Sequence, residues 1–461
     1  MSEVKSSLEP RLVPPVHTRY RRIQTAIPVP ESIPTLNSLR EHEPVSMSGQ
    51  PPIVWDRAEG VQVYDAWGNM WLDWSAGVLV ANSGHSHPAV VDAIVKEAQH
   101  SLLHSYCFPN ATRGRLIEEL LKISPAGFDR VFLLTTGGEA TENAIKLAKT
   151  RGRKIGGERK TVFVTFERAF HGRTMGAQLA GGIPALKAWI GALDPTFVQV
   201  PFPDGFRTKD THFELFEQSL RDQHVDPDTV CGVMMESYQG GGASFAPKDY
   251  VQALRRWCDR HGALLIFDEV QSAFGRTGKM FGFEHYEVVP DLFTPAKGLA
   301  SSLPISAVIG REEVMNLYGP GQMTSTHSGN PICAAAALAN LQVLQAEHIV
   351  EHAAAMGQIF HAELSAIHEE FSDVVAAHHG KGLVAGLHVV KPGSEEPDGD
   401  LATRTVMHAV EKGLMMFFPV GVGGATVKAN PPLIMAEDAI REGASVLRDA
   451  FREAIAERIG G

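Results

Sequence analysis

Cysteine is scarce: the 461 residues include four, Cys107, Cys231, Cys258 and Cys333, none of them in a CxxC spacing. Such isolated positions define neither a zinc site nor a disulfide framework, and a reduced compartment is expected. No run of 18 or more uncharged apolar residues occurs, and the amino-terminal stretch is polar, without the apolar segment of a secretory leader. A cytoplasmic protein without a membrane partner is the expectation. Basic clusters are missing too. Lys and Arg number 42 against 53 Asp and Glu, a formal net charge of −11, which argues against nucleic-acid binding as the main activity. No GxxxxGK[ST] occurs, since Gly278-Lys279 is followed by Met280, and no GxGxxG follows a strand, so neither a P-loop nor a dinucleotide fingerprint is present. His85 and His87 form an HxH without further ligands. They read as a turn ahead of a helix near Pro88, and no metal is expected.

What remains is an ordinary globular composition, 44% hydrophobic and 21% charged. The length is too great for one simple core and points to two or more units. Residues 1 to about 50, rich in Pro, Arg and Ser, read as an arm or extended cover. Alternation from Gln62 to Trp74 around Gly68-Asn69 predicts a hairpin in a small antiparallel sheet. Apolar runs at Val131–Leu134, Thr161–Phe166, Cys231–Met235 and Ala263–Phe267 alternate with helical patterns, one of them starting at Asp249 and stopped by Gly262. That repetition predicts an α/β fold with a mostly parallel sheet.

The densest chemistry lies between Gly262 and Leu299. Ala263–Phe267 suits a parallel strand covered on both faces, and it ends in Asp268-Glu269. A second run, Leu292–Thr294, delivers Lys297 into a turn between Pro295 and Gly298. Ligands of open α/β sheets sit at the carboxyl ends of strands, so both residues stand where chemistry usually occurs. Taken singly, Asp268 also suits a turn or cap and Lys297 a solvated surface charge. Together they suit a pyridoxal phosphate enzyme, in which the lysine amine binds the cofactor's aldehyde and the carboxylate keeps the pyridine nitrogen protonated. The turn at Gly137-Gly138 opens a helix whose first N–H groups would hold a phosphate, or it is a plain left-handed turn. Phe170 either stacks on a flat ring or packs in the core.

The segments around Asp268, Lys297, His171 and Asn330 resemble the class III aminotransferases, in that family's order from about Trp67 to Pro432. Thr136-Gly137-Gly138-Glu139-Ala140 stands where the family has Ser-Gly-x-Glu-Ala, and Thr326 to Pro331 matches Thr-x-x-Gly-Asn-Pro. The resemblance implies the fold of pyridoxal phosphate-dependent transferases of fold type I. Residues 1–84 would form an arm and part of the small domain, 85–350 the large cofactor-binding domain, and 351–461 the rest of a smaller α/β domain. It also implies roles: Lys297 and Asp268 in catalysis; Phe170 and Val270 sandwiching the ring; Gln271 at its phenolic oxygen; Thr136, Gly137 and Gly138 at the phosphate. His171 and Glu236 would line the cofactor, and Val78 and Lys428 the substrate. Thr326 would reach the phosphate of a neighbouring subunit, in a homodimer or dimer of dimers.

The implied reaction moves an amino group from an omega-amino acid or primary amine, as with 4-aminobutyrate, to 2-oxoglutarate or pyruvate. Two positions depart from the family's pattern. Many members using 2-oxoglutarate have Arg where this chain has Lys428, and a Glu where it has Gly241. Lysine offers no planar bidentate fork for a carboxylate, and on a flexible, strongly hydrated stem it could swing to solvent without an acidic partner. Two rivals stay open. One is a same-fold aminomutase or other isomerase, and the other a non-catalytic protein that binds pyridoxal phosphate.

Overall fold

The structure, a computed structural model, describes residues 7–460. It divides into two compact units, Pro88–Val350 and the described residues up to His87 together with those from Glu351 onward. Residues 1–6 of the expected amino-terminal arm lie outside the described residues.

Among the described residues, Pro88–Val350 carries one seven-stranded sheet. Its strands are β1 (Arg130–Leu134), β2 (Val162–Phe166), β3 (Phe197–Val200), β4 (Val230–Glu236), β5 (Leu264–Asp268), β6 (Leu292–Phe293) and β7 (Ser306–Gly310). Their order is β1-β7-β6-β5-β4-β2-β3. Only β7 runs antiparallel to its neighbours β6 and β1. Every residue of β4 and β5 is buried, as their unbroken apolar runs require of parallel strands covered on both faces. Strands β3 and β7 have no counterpart among the runs marked in the sequence.

Helix α1 (Gly137–Gly156) lays Ala140, Ala144, Ile145, Leu147 and Ala148 on the core formed with Phe163, Met234, Leu264, Ile266 and Val308. Each large apolar side chain buried there contributes about 1.5–3 kcal/mol. The small residues let α1 approach the sheet closely, because a Cβ at Gly232 would lie 3.2 Å from that of Ala148. Helix α2 (Lys248–His261) ends where predicted, at Gly262 with φ +62°. Helix α3 (Pro331–Ala346) is almost wholly buried.

The other unit holds the predicted hairpin. Gln62–Tyr64 pairs antiparallel with Met70–Asp73, and Asp65 ties the loop by accepting the amides of Trp67 and Asn69. Residues 33–42 form a helix that the polar, proline-containing amino-terminal stretch did not disclose. A second, antiparallel sheet orders β8 (Val375–Lys381), β9 (Val384–Val389) and β10 (Thr426–Ala429), with helices α4 (Ile349–Glu370), α5 (Gly399–Glu411) and α6 (Glu437–Gly460). His361 of α4 and His378 of β8 stack with ring centroids 5.0 Å apart, Nδ1 of the first 3.0 Å from Nε2 of the second. Burial lowers His361 to about 4. Burial, and then the neighbouring histidines, lower His378 to about 3.

Both groups bind protons more weakly folded than unfolded. Their stabilisation is therefore full above the unfolded value and is lost as pH falls from about 6.5 toward 3. His408, facing Glu411, Glu453 and Glu457, is shifted upward and acts with the opposite sign. The difference from a His361→Gln/His378→Gln variant therefore isolates the pair. Between pH 7.5 and 5 the urea midpoint of the wild type is expected to fall more than that of the variant. Parallel pH profiles would contradict the assignment.

Candidate active site

The site assembles at the carboxyl ends of β4, β5 and β6. Parallel pairing sets Asp268 beside Glu236 in register, and Phe267 beside Phe293. The chain beyond β6 then turns through Thr294, Pro295 and Ala296 to Lys297. Lys297 has φ +24°, in the left-handed region that a side chain enters at a cost of about 1–3 kcal/mol. Asn340 of α3 holds that turn, its Nδ2 donating to the carbonyls of Gly298 at 2.9 Å and Leu299 at 2.8 Å. Strain that a buried side chain maintains is common where a reactive group must be aimed.

The strand ends are crowded with charge. Asp268, His171 and Glu236 are all buried. His171 Nδ1 lies 2.8 Å from Asp268 Oδ2, and Asp268 Oδ1 accepts the Val270 amide at 3.0 Å. Burial opposes protonation of His171, but the hydrogen bond and charge of Asp268 outweigh it, so His171 is held above the ordinary histidine value. Glu236 is pushed up to about 7, first by burial, with His171 opposing and Asp268 adding to the rise. Burial also holds the Lys297 amine below the ordinary lysine range, against the opposing charges of Asp268 and Glu236. A carboxylate with a fixed partner and a lysine primed to lose its proton occupy adjacent strand ends.

The start of α1 closes another side. Thr136 caps the helix and Glu139 answers it, accepting the amides of Thr135 and Thr136 at 2.9 and 3.0 Å. The amides of Gly137 and Gly138 are therefore left without intrahelical partners, at the positive end of a 20-residue helix. Glycine is required at the first position. A Cβ on Gly137 would sit 2.8 and 2.9 Å from the methyls of Val270, just beyond Asp268. Gly172 comes as close on the other side, where its Cβ would meet the Cα of Gly138 at 3.0 Å. The cradle fits a phosphate, and His171 Nε2, buried with no hydrogen-bond partner, adds a polar atom that the protein leaves unmatched.

The structure thus brings together Thr136, Gly137, Gly138, Phe170, His171, Glu236, Asp268, Val270, Gln271 and Lys297 in one unit. Gln271 packs against Gly240, where a Cβ would stand 2.3 Å from its Nε2. Thr326 lies in an exposed loop of the same unit, its carbonyl 3.2 Å from His104 Nε2. Lys428 and Val78 belong to the other unit. Lys428, on β10, is 1% exposed, so the expected swing to solvent is corrected: it requires the side chain to leave a packed strand. Val78 is exposed, at φ +65°, inside a turn in which Ala76, Gly77, Val78 and Leu79 are all left-handed. His85 of the HxH lies with Nε2 2.6 Å from Asp73 Oδ2, which accepts from it. Among the described residues, no group of three or more His, Cys, Asp or Glu is arranged to hold a metal, and no helix is long and apolar enough to cross a membrane.

Two contributors escaped the sequence reading: Asn340 and Thr141. Thr141 is buried and its hydroxyl reaches the carbonyls of Gly138 at 2.9 Å and His171 at 2.7 Å, linking the helix start to the Phe170 loop. Its only sequence signal is its place one turn into α1 beyond Thr136.

The family model described as Aminotransferase class-III matches residues 45–451. The acetylornithine aminotransferase of Caldanaerobacter subterraneus subsp. tengcongensis is 37% identical over 405 residues, covering 87% of this chain and 95% of that protein. The probable 4-aminobutyrate aminotransferase of Bacillus subtilis is 33% identical over 411 residues, covering 86% and 92%. The isoleucine 2-epimerase of Lentilactobacillus buchneri is 34% identical over 420 residues, covering 87% and 90%. The crystal structure of a Bacillus anthracis aminotransferase superposes with a TM-score of 0.83 at 29% identity, covering 92% of this chain and 99% of that one.

Proposed function

Because the chain belongs to the class III aminotransferase family, we propose that it moves an amino group from an omega-amino acid or primary amine to 2-oxoglutarate or pyruvate, using pyridoxal phosphate. One observation carries the reading: Asp268, paired with His171, ends β5, and Lys297 follows the turn beyond the neighbouring strand β6, in the unit that holds the open amides of α1. When bound, pyridoxal phosphate supplies an aldehyde for the amine and a ring that draws electrons from the carbon bearing it. The residues then divide the work. Gly137 and Gly138, with Thr136, hold the phosphate, and Phe170 and Val270 flank the ring. Asp268 holds the proton on the ring nitrogen, with His171 and the Val270 amide fixing its two oxygens. The Lys297 amine would hold the cofactor's aldehyde and, when free, would carry a proton between the donor carbon and the cofactor, the same transfer run in reverse serving the 2-oxo acid.

The donor class is supported by the two relatives named for acetylornithine and 4-aminobutyrate. Lys428 binds the acceptor carboxylate as a point charge in place of the family's Arg, so acceptor affinity is modest. Val78 is proposed as a second substrate-binding residue. The working form is a cytoplasmic homodimer or dimer of dimers in which Thr326 completes the neighbour's phosphate site. Supporting this, Leu103, Tyr106 and Phe108 are exposed beside the Thr326 loop, and Tyr106 Oη lies 3.2 Å from Thr324 Oγ1.

The second reading, an isomerase, is favoured by the epimerase relative and needs no acceptor. A panel of amines with pyruvate or 2-oxoglutarate separates the two. Amino transfer is expected, and Lys428→Ala should lower kcat/KM for the 2-oxo acid while sparing the amine half-reaction. Inversion of an amine-bearing carbon without any 2-oxo acid, and no transfer with one, would overturn the proposal.

A further inference from the structure

We propose that Glu236 is a positioning residue: its two carboxylate oxygens pin the Phe170 loop and the Gln239–Gly242 turn to the sheet, and so fix the face that Phe170 offers to the ring. The ring-facing part rests on the transaminase reading above.

Glu236 is the last residue of β4 and is 5% exposed. Oε2 accepts the Phe170 amide at 3.1 Å and Oε1 accepts the Gly240 amide at 2.8 Å. The next loop residue, His171, is tied to Asp268, the in-register neighbour of Glu236 on β5. Two consecutive residues of one loop are thus held by two adjacent strand-end carboxylates. Gln239 Nε2 donates to the Glu167 carbonyl at 2.7 Å, joining the same two segments a second time. Both oxygens of Glu236 are already engaged by backbone donors. That favours a role exerted through Phe170 and Gly240 over direct contact with a cofactor.

Two N–H donors, one on each oxygen, are held most strongly by an ionised carboxylate, since a proton on either oxygen leaves that oxygen a weaker acceptor. Titratable groups facing it are His171 on the loop, Asp268 on β5, Tyr238 two residues further along its own chain and Lys297 beyond β6. Burial and Asp268 raise Glu236 and His171 lowers it, to about 7. Falling pH therefore removes the anionic acceptor from one of the two amides, and the loop loosens.

Hydrogen exchange on the cofactor-free protein, corrected for intrinsic rates, tests this between pH 6 and 8. The wild type should lose protection at residues 167–172 and 239–242 as pH falls. Glu236→Gln should be about tenfold less protected there at pH 8, and the loss of protection at 239–242 as pH falls should disappear, since a charge-assisted bond is lost. It should also release added pyridoxal phosphate faster and alter its visible circular dichroism. Wild-type protection that ignores pH, or a variant exchanging like the wild type, would overturn the assignment. If Glu236→Gln does not fold, the wild-type pH series decides alone. A wild type that binds no pyridoxal phosphate would overturn the transaminase reading and the ring-facing role, without touching the exchange result.

Discussion

Lys297→Ala is expected to lower kcat by about 10⁴-fold or more, because one side chain serves both as the attachment point and as the proton carrier. Only an unprotonated amine can do either. Burial holds the Lys297 amine below its ordinary range, which raises the unprotonated fraction near neutral pH. Position matters equally, since the strained backbone and the Asn340 clamp set where the amine points. Lys297→Arg should be as inactive as the alanine variant, for a guanidinium keeps the charge but stays protonated. Both variants should still retain pyridoxal phosphate noncovalently at the α1 cradle. Turnover within tenfold of wild type in either would exclude Lys297 from the chemistry.

Asp268→Asn should cost about 10²–10³-fold in kcat, the usual scale for removing a preorganised charge partner from a dry site. The amide has the same shape and can still accept from Val270, so the fold should survive. Its NH₂, however, faces His171 Nδ1 in place of an anion. His171 is raised because Asp268, and after it Glu236, outweigh burial, so in the variant His171 should titrate lower than in the wild type. The linkage has a sign. In the wild type the stabilisation from His171 is full below its unfolded pKa and fades as pH rises through the raised folded one, so the variant should lose stability chiefly on the acid side. Near-normal turnover, or an unchanged His171 titration by NMR, would contradict the mechanism.

Asp268 and Lys297 were legible because each follows a short apolar run, and parallel strands put their carboxyl ends where ligands bind. Gly137-Gly138 was legible locally only as a glycine turn opening a helix, and its phosphate role came from the family resemblance. The rest depends on partners distant in sequence. Asn340 lies within an alanine-rich helix, and nothing nearby announces that its amide caps the Lys297 turn 40 or so residues earlier. Glu236 was visible as a strand-end carboxylate, but its engagement by Phe170 and Gly240 follows from loops meeting over the sheet. Strand β7 escaped because only Ala307, Val308 and Ile309 are apolar between Ser306 and Gly310, and it is the one antiparallel strand in its sheet. The replacement of Arg by Lys428 could be read directly, whereas its burial on β10 could not, since a lysine is ordinarily a surface residue.

The most direct measurement is borohydride reduction of the purified protein loaded with pyridoxal phosphate, followed by peptide mapping. Reduction should abolish the near-violet absorbance and leave the cofactor mass on the peptide containing Lys297, with activity lost in proportion. A cofactor mass on another peptide, or full activity after complete reduction, would contradict the account.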